Sequence, residues 1–275
     1  MSLSIRSNVA SLEAQRNIAG TQRELGLSFQ RLSSGYRINS SSDDAAGLAI
    51  SESLDAQIRS YAVASRNAND GISMAETADG AAGQMSSLLN RMRELAVQSS
   101  NGSLITADRT NLNTEFVAVR SEIDRISNVT KFNGTALLNT VATAVSFQVG
   151  INTTGDDRIA VTFGGLTSTI LTVNNNAVDT FTNAQLAITS IDAALGLMAT
   201  AREGFGSAVN RMQVAVANLA AIYTNTVAAK SRIKDVDVAE ETSKLARFQV
   251  LQQAGAAVLT QANQAPQLAL SLLRG

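Results

Sequence analysis

The second half of the chain carries an apolar repeat with the period of a coiled coil. Its members alternate at spacings of four and three residues: Phe205, Val209, Met212, Val216, Leu219 and Tyr223. Side chains spaced in this way line one narrow face of an α-helix. This stretch is therefore predicted to form a long helix that packs against other helices of the chain.

The first half of the chain shows the same rhythm in two places. One run is Leu25, Phe29, Leu32 and Tyr36, and the other is Leu112, Phe116, Val119, Ile123 and Ile126. Gly35 favours a helix C-terminus, and Asp44 is suited to begin the next helix. A helix is predicted from Asp44 to about Gln98, but Gly71 and Gly80 follow acidic residues that favour turns, so its continuity stays open.

The middle of the chain, from about residue 131 to residue 181, is rich in Thr, Asn and Gly and poor in charge. Three segments read as short strands: Phe147–Val149, Arg158–Phe163 and Thr169–Val173. A capping box beginning at Thr182 then predicts the return to helix. We expect a small β element inserted between two helical halves.

These patterns predict a mainly α fold: a long antiparallel helical coiled-coil rod with a small inserted β-hairpin region and both termini at one end. The predicted segments are 1–43, 44–180 with the β region at about 140–175, 181–235 and 236–275. The apolar positions expected to form intrachain core are Phe116, Val119, Ile123, Val209, Met212 and Val216.

Composition excludes most catalytic chemistry. The 275 residues include no His and no Cys, which removes the usual general base, the thiolate nucleophile and the common zinc ligands. The net charge is -1, so no basic surface for nucleic acid is expected. We therefore expect a protein that is not an enzyme and has no catalytic residue, metal or cofactor.

Neither a membrane segment nor a cleavable signal peptide is expected. The uncharged stretch from Phe248 to Leu273 is interrupted by seven Gln and Asn side chains, which are too polar for a bilayer core. Near the start, Arg6, Glu13 and Arg16 fall where a signal peptide needs an unbroken apolar region. The chain is thus expected in the cytoplasm, or outside the cell by a route that needs no such peptide.

Several longer strings resemble bacterial flagellin. They read LSSGYRIN from Leu32, DDAAGLAI from Asp43, RMRELAVQ from Arg91, SRIKDV from Ser231 and LQQAGAAVLTQANQAPQ from Leu251. The resemblance covers about residues 1–140 and 185–275, in the order and spacing of the family. The middle is far shorter than in long flagellins, so a large outer domain is missing.

The resemblance implies a structural subunit that polymerises into the flagellar filament, outside the cell. In this family the terminal helices form the inner domain of the filament, around its central channel. The implied partners are other copies of the chain, the flagellar export apparatus, an export chaperone, the filament cap and the hook–filament junction proteins. Export without a cleaved signal peptide agrees with the polar start of the chain.

The apolar stripes in residues 1–34 and 245–273 are expected to contact neighbouring subunits, because a single chain offers them little to pack against. The predicted subunit-interface residues are Ile5, Val9, Leu12, Leu25, Phe29, Leu32, Leu251, Val258, Leu268 and Leu272.

The resemblance also implies recognition by an innate immune receptor, Toll-like receptor 5. The matching positions are Arg91, Leu95, Gln98 and Glu115. The first three are spaced at i, i+4 and i+7, which places them on one helix face.

Sugars, if attached, are expected in the middle segment, which the resemblance places at the outer surface of the filament. The candidate positions are Thr143, Thr154, Ser168 and Thr169.

Two alternatives stay open at this point. A hook–filament junction protein shares terminal helices with flagellin, and a solitary coiled-coil adaptor would have the same composition. The block from Arg91 to Gln98 and the string from Leu251 favour flagellin over the junction protein. The match at both ends of the chain disfavours the adaptor.

Overall fold

A computed structural model describes residues 7–273 of the chain, with side chains described through residue 264. The described residues form five α-helices: α1 (Val9–Ser34), α2 (Ala45–Ser99), α3 (Thr106–Val129), α4 (Phe181–Lys234) and α5 (Val238–Leu273), with a short 3-10 helix at Gly155–Asp157. They also form four short strands: β1 (Lys131–Phe132), β2 (Thr135–Ala136), β3 (Thr143–Gln148) and β4 (Arg158–Phe163). The predicted mainly α fold with a small β region is confirmed.

The chain divides into two compact units. The terminal unit runs through Ala56 and resumes at Asn225, and the central unit covers Gln57–Thr224. Both α2 and α4 therefore contribute residues to each unit. Among the described helices, α4 alone has the length and apolar composition of a membrane span, a test that core helices of water-soluble proteins also pass.

The two helix ends predicted at Gly35 and Asp44 form as expected, and the start of α4 differs from its predicted position. Gly35 follows α1 in the left-handed conformation, with φ of 74°, and donates its N–H to the carbonyl of Arg31. This is the usual C-terminal cap, because glycine adopts positive φ without steric cost. The Asp44 carboxylate accepts the N–H of Gly47 at 2.8 Å and so caps α2. Helix α4 begins two residues earlier than predicted, because the Thr180 hydroxyl accepts the N–H of Asn183.

Helix α2 is continuous through both glycine-containing stretches. In the central unit, a Cβ atom built on Gly71 would lie 2.7 Å from the Met212 sulfur and 3.0 Å from the Phe147 ring. Gly71 therefore lets α4 and β3 pack against the bare backbone of α2. Gly71, which the sequence suggested as a turn residue, is a close-packing position inside the helix. Its tertiary contacts outweigh the low helix propensity of glycine.

The core of the central unit contains the residues predicted for it. Phe116, Ile123 and Met212 are fully buried, while Val119, Val209 and Val216 are partly buried against the same cluster. Phe163 of β4 stacks on Phe205 of α4 at 5.6 Å between ring centroids. The hairpin thus contributes directly to the helical core.

Both β elements are antiparallel hairpins. Strands β1 and β2 flank Asn133 and Gly134, whose φ angles of 46° and 81° are those of a tight two-residue hairpin turn. Strands β3 and β4 pair from Thr143 opposite Phe163 to Gln148 opposite Arg158. Ile159, Val161 and Phe163 alternate inward on β4, as a half-buried strand requires.

The predicted strand Thr169–Val173 is wrong. These residues form successive turns, with the N–H of Leu171 donating to Thr167 and the N–H of Val173 donating to Ser168. Both Leu171 and Val173 are buried, so their apolar character reflects core packing. The sequence pattern indicated burial correctly and the backbone conformation incorrectly.

Candidate functional site

In the terminal unit, α1 and α5 pack against each other as an antiparallel pair. The side chains turned away from solvent follow alternating steps of three and four residues on both helices. On α1 they are Ser11, Ala14, Ile18, Thr21, Leu25, Ser28 and Leu32, and on α5 they are Glu241, Leu245, Phe248, Gln252, Gly255, Leu259 and Ala262. This seam has the heptad spacing of a coiled coil but is built largely from small and polar residues.

Polar contacts hold one end of the pair. The Asn8 amide donates to the carbonyl of Ala262 at 2.7 Å, while its oxygen accepts the N–H of Ser11 and caps α1. The Ser11 hydroxyl donates to the Asn263 side-chain oxygen, also at 2.7 Å. These bonds join the start of α1 to the C-terminal half of α5.

An ionic cluster holds the other end of the pair. Arg31 lies 4.0 Å from the buried carboxylate of Glu241 and 3.9 Å from Asp43. Lys244 lies 3.7 Å from Glu241 on the same helix. The buried carboxylate therefore has two cations nearby, as a charge removed from water requires.

The turn between α1 and α2 is ordered by Asp43. Its carboxylate accepts the backbone N–H groups of Ser40 at 2.9 Å and Asn39 at 3.1 Å. These two hydrogen bonds, with a smaller contribution from Arg31, hold the pKa of Asp43 below its ordinary value of 3.8. The charged form of Asp43 is therefore the form that the folded turn favours.

The same turn is bonded to the connection between α4 and α5. The N–H of Arg37 donates to the carbonyl of Lys234 at 2.7 Å, and the N–H of Val236 donates to that of Gly35 at 3.0 Å. Lys234 also lies over the ring of Tyr36 at 4.9 Å. The C-terminal end of α1 and the N-terminal end of α5 are thereby held together by backbone hydrogen bonds.

Large apolar side chains of the pair remain in solvent. Leu12 is 57% exposed and Val258 is 59% exposed. The other predicted interface residues that are exposed are Val9, Phe29 and Leu251. Leu251 and Val258 stand one heptad apart beside the seam, so they share an edge of α5. An apolar surface of this kind is typical of a contact site.

The other predicted interface residues have different positions. Leu25 and Leu32 are half-buried in the seam between α1 and α5. Ile5 lies outside the described residues, and the side chains of Leu268 and Leu272 lie outside the described side chains.

In the central unit, Arg91 joins two neighbouring helices. Its guanidinium donates to Glu94 at 2.8 Å and to Glu115 of α3 at 2.6 Å. The hydrogen bonds to Glu94 and Glu115 raise the pKa of Arg91. Gln98, one heptad after Arg91, is also exposed. Arg91, Glu94, Gln98 and Glu115 form what we call the arginine face.

Leu95, the other predicted receptor-contact residue, is fully buried in the core of the central unit, so the structure does not place it on the arginine face. Spacing of i and i+4 keeps two residues within about 40° of each other around a helix. That difference is enough here to turn Arg91 outward and Leu95 inward.

The candidate glycosylation positions also separate. Thr143, Thr154 and Thr169 are exposed, whereas Ser168 is buried. The N–H and hydroxyl of Ser168 both donate to the Asp124 carboxylate, at 2.9 Å and 2.7 Å. Ser168 therefore differs from the other three candidate positions, since its hydroxyl is buried and serves as a structural donor.

Sequence reasoning missed the small members of the seam. Ala14, Thr21 and Ser28 recur every seven residues on α1, but they attract no notice when only large apolar residues are counted. The pair buries these small residues together with leucines such as Leu25 and Leu32, while other large apolar side chains stay exposed. The fold is that of a helical structural protein, and an exposed apolar surface of this kind is typical of self-association.

Comparison with known proteins identifies the family. The bacterial flagellin N-terminal helical region matches residues 5–143, and the bacterial flagellin C-terminal helical region matches residues 188–273. The chain belongs to the bacterial flagellin family. It is a structural subunit of the extracellular flagellar filament, and it assembles with further copies of itself.

Individual relatives agree with this assignment. A flagellin from Halalkalibacterium halodurans is 42% identical over 270 residues, covering 98% of this chain and 99% of the relative. Flagellin FlaB1 from Treponema pallidum is 35% identical over 286 residues, covering 98% and 99%. The crystal structure of Bacillus cereus flagellin matches with a TM-score of 0.50 and 31% identity, covering 60% of this chain and 94% of that one. Neither the junction protein nor the adaptor is favoured.

Proposed function

We propose that this flagellin enters the filament through the exposed apolar side chains of the α1–α5 pair. The observation that carries the proposal is that small and polar residues take many positions of the seam, while the large apolar side chains of Leu12, Phe29 and Val258 remain in solvent. Contacts with neighbouring copies would remove these side chains from water.

The free energy gained by burying these side chains adds up over contacts with several neighbouring subunits. Burying the exposed half of a Leu, Val or Phe contributes about 1 kcal/mol. A pairwise contact made by a few such residues falls short of the roughly 4–15 kcal/mol that association costs in lost freedom. A subunit held by several copies at once gains from each of them, so a filament forms where an isolated dimer does not.

In this proposal the chain has the domain organisation expected from its sequence. Residues 1–43 and 236–275 form the inner domain of the filament, and residues 44–180 and 181–235 form the surrounding helical domain with its small β region. The two compact units support a division of this kind, although the terminal unit extends to Ala56 and resumes at Asn225.

We further propose that the chain reaches the filament tip through the flagellar export apparatus, without a cleaved signal peptide. An export chaperone, the filament cap and the hook–filament junction proteins are its proposed partners on that route. Family membership supports this part of the proposal. Mass spectrometry of purified filaments tests it, because an intact N-terminal sequence is expected and a processed one would contradict it.

The assembly surface is tested by placing a charge on it. Leu12→Glu and Val258→Glu, made separately, are expected to leave the monomer folded and to prevent filament growth, because a buried unpaired carboxylate is costly. Gln22→Glu is the matched control, since it adds the same charge at an exposed polar position of α1. Electron microscopy and sedimentation measure the polymer. Normal filaments from both glutamate variants at Leu12 and Val258 would contradict the proposal.

A second proposal concerns the arginine face. Arg91, Gln98 and Glu115 are exposed on the central unit and match the positions that the resemblance assigns to Toll-like receptor 5 recognition. We propose that this face contacts the receptor, with Arg91 as the central charge. Receptor signalling by purified monomer measures the interaction.

Sugars, if present, are proposed at Thr143, Thr154 and Thr169, which are exposed. An intact mass of 28.8 kDa for the native subunit would show that none is attached.

A further inference from the structure

Gly255 of α5 lies directly against Ile18 of α1. A Cβ atom built on Gly255 would stand 2.9 Å from Ile18 Cγ1 and 3.6 Å from Ile18 Cδ1. The first distance is shorter than real Cβ contacts allow, and it involves a carbon near the base of the isoleucine side chain. Ile18 therefore occupies a space that exists only because position 255 carries no side chain.

This space occurs once along the helix. Gly255 is the single glycine between Val238 and Leu273. If α1 slid by one heptad in either direction, Ile18 would stand level with Phe248 or with Ala262, and each carries a Cβ atom. The slipped arrangements keep the heptad spacing of the seam but lose the fit of Ile18.

The rest of the seam discriminates weakly between registers. Ser11, Ala14, Thr21 and Ser28 are small enough to face most residues of α5. The other large seam residues of α1, Leu25 and Leu32, are not β-branched and can repack against different neighbours more readily than Ile18 can. The polar contacts of Asn8, Ser11 and Arg31 lie at the two ends of the pair. Ile18 and Gly255 supply the steric selection between those ends.

We propose that the contact between Ile18 and Gly255 fixes the register of α1 on α5 and is thereby a specificity-determining contact for assembly. A slip of one heptad moves one helix along the other by about 10 Å. Leu12 would then change its position relative to Leu251 and Val258, and the surface offered to other copies would differ. This inference rests on the proposed assembly function of the same helix pair.

The register can be measured directly, because the chain has no native Cys. Ser11→Cys combined with Asn263→Cys reports the native register, since the two native side chains are hydrogen-bonded at 2.7 Å. Ser11→Cys combined with Ala256→Cys reports a slip of one heptad. Disulfide yield after mild oxidation of the full-length monomer is compared between the two pairs.

With Gly255 present, the native pair is expected to form the disulfide and the slipped pair is not. Gly255→Leu is expected to lower the ratio of native to slipped yield by about tenfold, because the added side chain overlaps Ile18. Combining Ile18→Ala with Gly255→Leu should restore the native ratio, since the large and small partners have only exchanged helices. Gly26→Leu is the matched control, because a Cβ atom there meets no atom within 4 Å.

Circular dichroism separates register from unfolding. Leucine favours helix more than glycine does, so Gly255→Leu should keep its helix content while its disulfide pattern changes. An unchanged native ratio in Gly255→Leu, or a failure of Ile18→Ala to restore that ratio, overturns the register assignment. Polymerisation of Leu12→Glu and Val258→Glu would instead overturn the assembly proposal, so the two failures are distinguishable.

Discussion

Met212 of α4 rests on the bare backbone of Gly71 in α2, with its sulfur only 2.7 Å from where a Cβ atom would stand. This contact lies in the core of the central unit, beside Phe147 of β3. It accounts for a glycine in the middle of a long helix, where glycine otherwise destabilises.

Gly71→Ala is therefore expected to destabilise the protein. The added methyl group must displace Met212 or Phe147, which costs roughly 1–3 kcal/mol in a packed core. Gly80→Ala in the same helix is the matched control, because nothing lies within 4 Å of its Cβ position. That control should stabilise by about 0.5–1 kcal/mol through helix propensity. Chemical denaturation measures both, and equal effects of the two substitutions would contradict the packing role of Gly71.

A second prediction concerns the arginine face and distinguishes an effect on receptor signalling from an effect on the free energy of unfolding. Arg91→Ala should leave the free energy of unfolding nearly unchanged, because the Arg91 ion pairs are exposed to solvent and screened by it. Leu95→Ala should cost about 2–5 kcal/mol, because it leaves a cavity in the core. If the receptor proposal holds, Arg91→Ala monomers signal more weakly than the parent at the same folded concentration.

The control for this prediction is Arg125→Ala. Arg125 forms an exposed ion pair with Glu122 at 2.6 Å on α3, outside the arginine face. Its loss should leave signalling unchanged. Equal signalling by Arg91→Ala and the parent protein would remove Arg91 from the proposed contact.

The case of Leu95 shows what spacing alone can establish. The heptad run from Phe116 to Ile126 predicted both its helix and its buried face correctly. The run from Leu25 to Tyr36 predicted its helix, but Phe29 in that run is exposed. Choosing between Arg91 and Leu95 required the direction of the core, which depends on where α3 and α4 pack. That information comes from tertiary contacts and is not contained in the local pattern.

The same reasoning explains the other differences. Thr169–Val173 has the composition of a strand. Ser168, the residue just before it, is held in a turn by its hydrogen bonds to Asp124 of α3. The fit of Ile18 against Gly255 joins residues far apart in sequence, so no local pattern could reveal it. Contacts between side chains that are distant in sequence cannot be predicted from local sequence patterns.

A third prediction concerns acid conditions. Because the folded turn lowers the pKa of Asp43 below 3.8, the stabilisation it provides is fully present above that value. It is lost as pH falls through the lower, folded-state pKa. The parent protein should therefore be more stable than Asp43→Asn at neutral pH, and the difference should shrink below pH 3.8. Thermal unfolding at a series of pH values measures this difference.

Ser40→Ala tests the origin of that effect. It removes the hydroxyl that donates to Asp43 at 3.1 Å but keeps the backbone N–H, which is the stronger cause of the lowered pKa. The acid dependence should therefore persist in Ser40→Ala. If it vanished there, the side-chain hydroxyl and not the backbone would order the turn.

The last prediction is that assembly stabilises the terminal helices far more than the central unit. In the monomer, α1 and α5 share a seam of small residues such as Ala14 and Ser28, and ordering each residue costs roughly 1–2 kcal/mol of backbone entropy. The area buried by such a seam offsets that cost only narrowly, so local opening should be frequent.

Amides in residues 9–34 and 240–264 should exchange rapidly in monomers. Those in residues 90–125 and 205–230, most of which belong to the central unit with its core of Phe116 and Met212, should exchange slowly. In filaments, neighbouring copies would cover the exposed apolar side chains, and the terminal amides should become protected by mass action. Hydrogen exchange followed by mass spectrometry measures both states. Equal protection of residues 9–34 in monomer and filament would show that assembly does not act through these helices.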